Sequence, residues 1–192
     1  MELSECEDAV HEALRRRRPQ LIVGIINKFL AQQQTKGKSS VAAMAFVCLD
    51  CRDDGAHEAP NAVLALFFAA PPPTVVFCAN RLHSSQEVEE TMVHELIHAY
   101  DFTVRNMDIT KADVLACSEI RSARESECYQ KAQLLENVLP NVAFFQKSTR
   151  WLNERCVREH AVRSTSSMFP VEARDEVDKM FDRCYVDRSP FD

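Results

Sequence analysis

An α+β fold, mostly helical and with one small three-stranded sheet ahead of a motif-bearing helix, is what this sequence predicts. Three observations carry that expectation. Only three glycines occur in 192 residues, too few for a turn-rich all-β chain. Apolar residues recur at helical spacing over 5–34 and again from 84 onward, as the core-facing stripe of a helix requires. Between these regions stand three short apolar runs bounded by turn residues, the pattern of strands.

The first stripe consists of Leu14, Leu21, Ile22, Ile25, Ile26, Phe29 and Leu30, and Pro19 is expected to split it into two helices because it lacks a backbone donor. Thr35 to Ser40, with Gly37 and paired serines, reads as a linker. Residues 1–40 are therefore expected to be an N-terminal helical extension and 41–192 the main domain. Val41 to Leu49, Val63 to Ala69 and Thr74 to Ala79 are the strand candidates, separated by Asp53-Asp54-Gly55 and by Pro71-Pro72-Pro73. From Ser84 the helical pattern returns, with Ser85 as the expected N-cap and Glu87, Glu89 and Glu90 in the first turns, where the helix dipole favours carboxylates. After a break at 106–110, a second helix over 111–124 sets Leu115, Glu119 and Ser122 on one stripe. Segments 130–139, 143–159 and 171–184 read as further helices, interrupted by Pro140 and Pro170.

The whole-chain balance excludes several functions. A net charge of -6 disfavours a nucleic-acid surface, and the run Arg15 to Arg18 is too short to reverse that. No stretch of about 18 apolar residues exists to cross a bilayer. The acidic start, with Glu2, Glu5, Glu7 and Asp8, resembles neither a secretory leader nor a transit peptide. Eight cysteines are many for a cytosolic protein. Cys48 and Cys51 form a C-x-x-C, but a zinc ribbon needs a second such pair, so structural disulfides are the favoured use.

The most specific signal is His94-Glu95-Leu96-Ile97-His98. On a helix, residues i and i+4 share a face, so both imidazoles can bind one zinc ion while Glu95 stays free to move protons. This is the motif of zincin-like metalloproteases. A catalytic zinc needs a third protein ligand and an open position for water. Glu119, on the following predicted helix, is the leading candidate; Asp101, at i+3 from His98, is the rival and otherwise a partner that orients a histidine. Glu95 is expected to serve as general base. Arg121, pointing away from Glu119, is expected to make a salt bridge into the fold. His11, His57, His83 and His160 show no partners at ligand spacing.

The run TMVHELIHAYD (Thr91 to Asp101), then ACSEIR (Ala116 to Arg121) with Cys128, then Arg155-Cys156-Val157-Arg158, Glu176-Val177-Asp178, Phe181, Cys184 and the ending Asp187-Arg188-Ser189-Pro190-Phe191 resemble one family. It is the mitochondrial inner-membrane metalloprotease family that processes and helps assemble ATP synthase, of the peptidase M76 type. The resemblance implies a zinc endopeptidase, peripheral on the intermembrane-space side of the inner membrane. Its implied partner and substrate is the membrane subunit a of ATP synthase, whose N-terminal extension the family removes; a non-proteolytic assembly role is the alternative. His94 and His98 carry over as zinc ligands and Glu95 as the catalytic glutamate, whereas Glu119 as third ligand rests on the geometric reading above. The cysteines at 48, 51, 78, 117, 128, 156 and 184 are implied to be disulfide-bonded. The chain departs from the family at Met107-Asp108-Ile109 and Arg124-Glu125-Ser126-Glu127. It also has no cysteine over 31–47, so one family disulfide is expected to be absent or rewired.

Overall fold

The computed structural model describes residues 1–37, 43–51, 64–138 and 143–191. They form two compact units, Met1–Asn106 and Met107–Asp192.

The first unit opens with helices α1 (Leu3–Ala13) and α2 (Arg17–Thr35). Cys6, Ala9, Val10 and Ala13 of α1 and Ile22, Ile26 and Leu30 of α2 are buried, each set spaced to fall on one helix face. The break between them is at 14–16, not at Pro19, which lies in the first turn of α2. A proline is tolerated there because first-turn N–H groups have no intrahelical acceptor to lose. Gly37, just past α2, adopts φ 68°, a left-handed conformation that suits a residue without Cβ after a helix end.

Strands β1 (Ala45–Leu49), β2 (Ala65–Phe68) and β3 (Thr74–Cys78) follow, within the three runs expected. The Asp53-Asp54-Gly55 turn lies outside the described residues. Strand order is β1-β3-β2, with β1 and β3 parallel and β2 antiparallel to β3. Alternation along the strands buries Ala65, Val75 and Phe77 and leaves Val47, Leu49, Leu66 and Phe68 exposed, because successive side chains point to opposite faces. Helix α3 (Ser85–Thr103) closes the unit, and α1, α2, β2 and β3 all pack on it. The N-terminal helices thus share a core with α3, and the boundary between the two units falls at 106/107, whereas the sequence suggested a division at 40/41. The apolar stripes of α1 and α2 need a partner to cover them, and α3 supplies it.

Among the described residues the regular elements of the second unit are helices: α4 (Ala112–Glu125), α5 (Glu127–Val138), α6 (Ala143–Thr165) and α7 (Ala173–Val186). Its core gathers Ala116, Ile120, Ala123, Val157, Val177 and Phe181. Arg121 is fully buried, with Nε 3.6 Å from Asp187 Oδ2 and a terminal nitrogen donating to Ser189 O at 2.5 Å, which is the inward salt bridge expected of it. Arg124 donates to Glu125 Oε1 at 2.7 Å, to Asp187 O at 2.7 Å and to Tyr185 O. Two buried guanidinium groups on α4 therefore fasten the chain leaving α7, satisfying carbonyls that a helix end leaves open.

Four disulfides occur and no cysteine is free: Cys6–Cys48, Cys51–Cys78, Cys117–Cys184 and Cys128–Cys156. The seven cysteines named from sequence are all bonded. The eighth, Cys6 on α1, pairs with Cys48, so Cys48 has its partner upstream of the cysteine-free stretch 31–47. An odd count of seven was itself the signal that an eighth belonged to the set.

Candidate metal centre

The HELIH motif sits in the middle of α3, the longest helix of the first unit together with α2. The helix starts at Ser84, one residue before the expected cap, whose Oγ accepts the Glu87 N–H at 3.1 Å. Glu87 reaches back to accept the His83 N–H at 2.7 Å. Together these satisfy donors that the first turn would otherwise leave open. Val88, Met92, Leu96 and Ile97 are fully buried, so the motif stands on a backbone held by packing rather than on a loop.

On this scaffold the two imidazoles converge. The Nε2 atoms of His94 and His98 lie 3.1 Å apart, with ring centroids 4.9 Å apart and planes at 72°. Two nitrogens at about 2.0–2.1 Å from one tetrahedral zinc stand about 3.3 Å apart, so the pair fits such an ion with little adjustment. Glu95 is buried beside them at 9% exposure. Asp101 is fully buried and lies 3.6 Å, Oδ1 to a terminal nitrogen, from Arg105 one turn on.

Glu119 belongs to the second unit, on α4, and is 6% exposed. It is flanked by Ser118 and Ile120, both fully buried. Cys48 and Cys51 hold no metal together, since each is bonded to a different partner. His11 and His83 are exposed, and His57 lies outside the described residues.

A helix presenting two convergent imidazoles and a buried glutamate one residue from the first of them defines a candidate metal-dependent hydrolase. The chain belongs to the peptidase M76 family, whose model matches residues 4–192. The match includes both N-terminal helices. Among its relatives are proteins named mitochondrial inner membrane protease ATP23 homolog. The one from Xenopus laevis is 34% identical over 129 residues, covering 65% of this chain and 52% of the relative. Those from Danio rerio and Homo sapiens are 32% and 30% identical over 151 residues, covering 76% of this chain and 53% and 54% of theirs. The chain spans about half the length of the curated relatives it matches. No solved structure matches it. Among the described residues, no helix is long and apolar enough to cross a membrane.

Proposed function

We propose that this chain is a zinc-dependent endopeptidase with a zincin-like site, acting at the intermembrane-space face of the mitochondrial inner membrane as a peripheral protein. His94, His98 and Glu119 hold the ion, and Asp101 helps to orient a histidine. The observation that carries the reading is the 3.1 Å convergence of the two Nε2 atoms beside a buried Glu95. A zinc ion bound there supplies Lewis acidity, acidifying water and polarising a peptide carbonyl. Glu95 takes the proton from the attacking water and delivers it to the leaving amine nitrogen. The protein substrate is the N-terminal extension of ATP synthase membrane subunit a, and the same chain assists assembly of that enzyme. The relatives' names support the protease activity and the membrane; the substrate follows from the family resemblance.

Replacing Glu95 with Gln tests this reading, because the amide keeps the size but accepts no proton. Removal of the N-terminal extension is expected to slow by about 10²–10⁴-fold, with zinc content unchanged, when N-termini of inner-membrane proteins are compared with and without active enzyme. Undiminished processing by zinc-loaded Glu95→Gln protein would leave the assembly scaffold as the surviving reading.

A further inference from the structure

We infer that Cys128, Cys156 and His160 form a second metal site, closed in the oxidised chain and opened to a divalent thiophilic ion such as zinc when the Cys128–Cys156 disulfide is reduced. All three residues lie in the second unit. Cys128 is on α5, while Cys156 and His160 are one turn apart on α6, the i, i+4 spacing that puts two ligands on one face. The ligand atoms of the three all lie within 4.8 Å of one another. Sulfurs and an imidazole nitrogen around one tetrahedral zinc stand about 3.6–3.8 Å apart, so the cluster needs only side-chain rotation to close on an ion.

In the oxidised chain the sulfurs are bonded to each other at 2.04 Å. They cannot then serve as ligands, because the thiolate is the metal-binding form. A dithiol reductant supplies two electrons and two protons: the sulfur–sulfur bond breaks, Cys128 and Cys156 become thiols, and the reductant becomes a disulfide. Zinc binding then displaces the two thiol protons, and two thiolates with a neutral imidazole offset the charge of the ion. The site is placed for this exchange. Cys156 and His160 are half-buried, so reductant and ion both have access, while Cys128 is buried in the core with Val157 and Ala161. Helices α5 and α6 pack on each other along their length beyond the bridge residues, and circular dichroism of the reduced chain tests whether that packing suffices. Among the described residues, none of the other three disulfides has a metal-binding side chain grouped with both its sulfurs.

One local interaction opposes the ion. A terminal nitrogen of Arg163 lies 2.9 Å from His160 Nδ1. Donation there leaves the ring proton on Nε2, so metal binding through either nitrogen must break the contact. Arg163 is exposed, and its release to water is easily tolerated. Its removal is therefore expected to strengthen metal binding, an effect that a residue serving only the fold would not produce.

The experiment measures zinc per chain before and after treatment with a dithiol, and repeats it with cobalt to read thiolate ligation in the near-ultraviolet. Taking the difference between reduced and oxidised protein removes any ion held by His94 and His98, so the outcome does not depend on that site. The expected result is about one additional ion per reduced chain with a thiolate-to-cobalt band. His160→Ala should weaken it more than about tenfold, and Arg163→Ala should tighten it. No additional ion in a reduced chain that keeps its helical circular dichroism overturns the proposal, as does an additional ion indifferent to His160. If reduction unfolds the chain, the double variant C128H/C156H decides without reductant: an extra ion lost with His160→Ala supports the site, and its absence overturns it.

Discussion

Glu119 and Asp101 are both buried carboxylates near the end of the chemistry that sequence can assign, and their surroundings separate them. Asp101 has Arg105 at 3.6 Å on its own helix, a counter-charge that satisfies it without metal. In the proposed site Glu119 is the third ligand and Asp101 an orienting partner, so Glu119→Ala is expected to strip most of the zinc after dialysis while Asp101→Asn retains more; the opposite ranking in metal analysis would assign Asp101 to the ion. Farther along, at the start of the second unit, Asp108 Oδ1 accepts the Thr110 hydroxyl at 2.5 Å. This hydrogen bond, aided by the Thr110 N–H and by Lys111, holds the Asp108 carboxyl below its ordinary 3.8. A depressed folded-state value means that the turn is stabilised in full above the unfolded value, and that this is lost as pH falls through the folded one. Thr110→Val should raise the Asp108 titration midpoint toward 3.8 in carbon-detected NMR; a midpoint unmoved by the change would show that the hydroxyl has no part in it.

At the scale of elements, the helices and strands were legible because their apolar periodicity is strong, and the errors fall where local chemistry has two solutions. Ser84 and Ser85 are equally good N-caps in sequence. The register of α3 selects Ser84, whose hydroxyl meets the Glu87 N–H. Ser84→Ala is expected to cost about 1 kcal/mol in urea unfolding, against almost nothing for Ser85→Ala. Pro19 reads as a breaker in any helical stripe, yet the break lies at 14–16 because a first-turn proline forfeits no hydrogen bond,. Arg124, in sequence only a departure from the family pattern, fastens α4 to the end of α7. Burial lowers its pKa while Glu125 raises it. Arg124→Ala removes a buried donor shared by Glu125 and by the backbone carbonyls of Cys184, Tyr185 and Asp187, and is expected to destabilise the chain by about 3–5 kcal/mol.

For the whole molecule, four disulfides join segments that pattern alone could not connect. Non-reducing thiol counting on native protein should find essentially none free, and several reactive thiols would contradict the pairing. The Cys117–Cys184 bridge closes 67 residues, and C117A/C184A is expected to cost about 2–4 kcal/mol because a longer loop in the unfolded chain gains more entropy when released. Cys6 shows why the sequence stopped short: it stands 42 positions from Cys48, and nothing local marks a cysteine on one helix as the partner of a strand. His160 is the complementary case. The sequence reading that it has no partner at ligand spacing is corrected: Cys156 stands four residues before it, and the fold of α5 against α6 brings Cys128 to the same place.

Sequence by itself determined the helical majority, the three strands, the shared face of His94 and His98 and the inward salt bridge of Arg121, because each follows from periodicity or from spacing within one element. Tertiary structure decided the rest. Which cysteines pair and which unit the N-terminal helices join depend on residues distant in sequence. Packing alone fixes those contacts, and no local pattern encodes them.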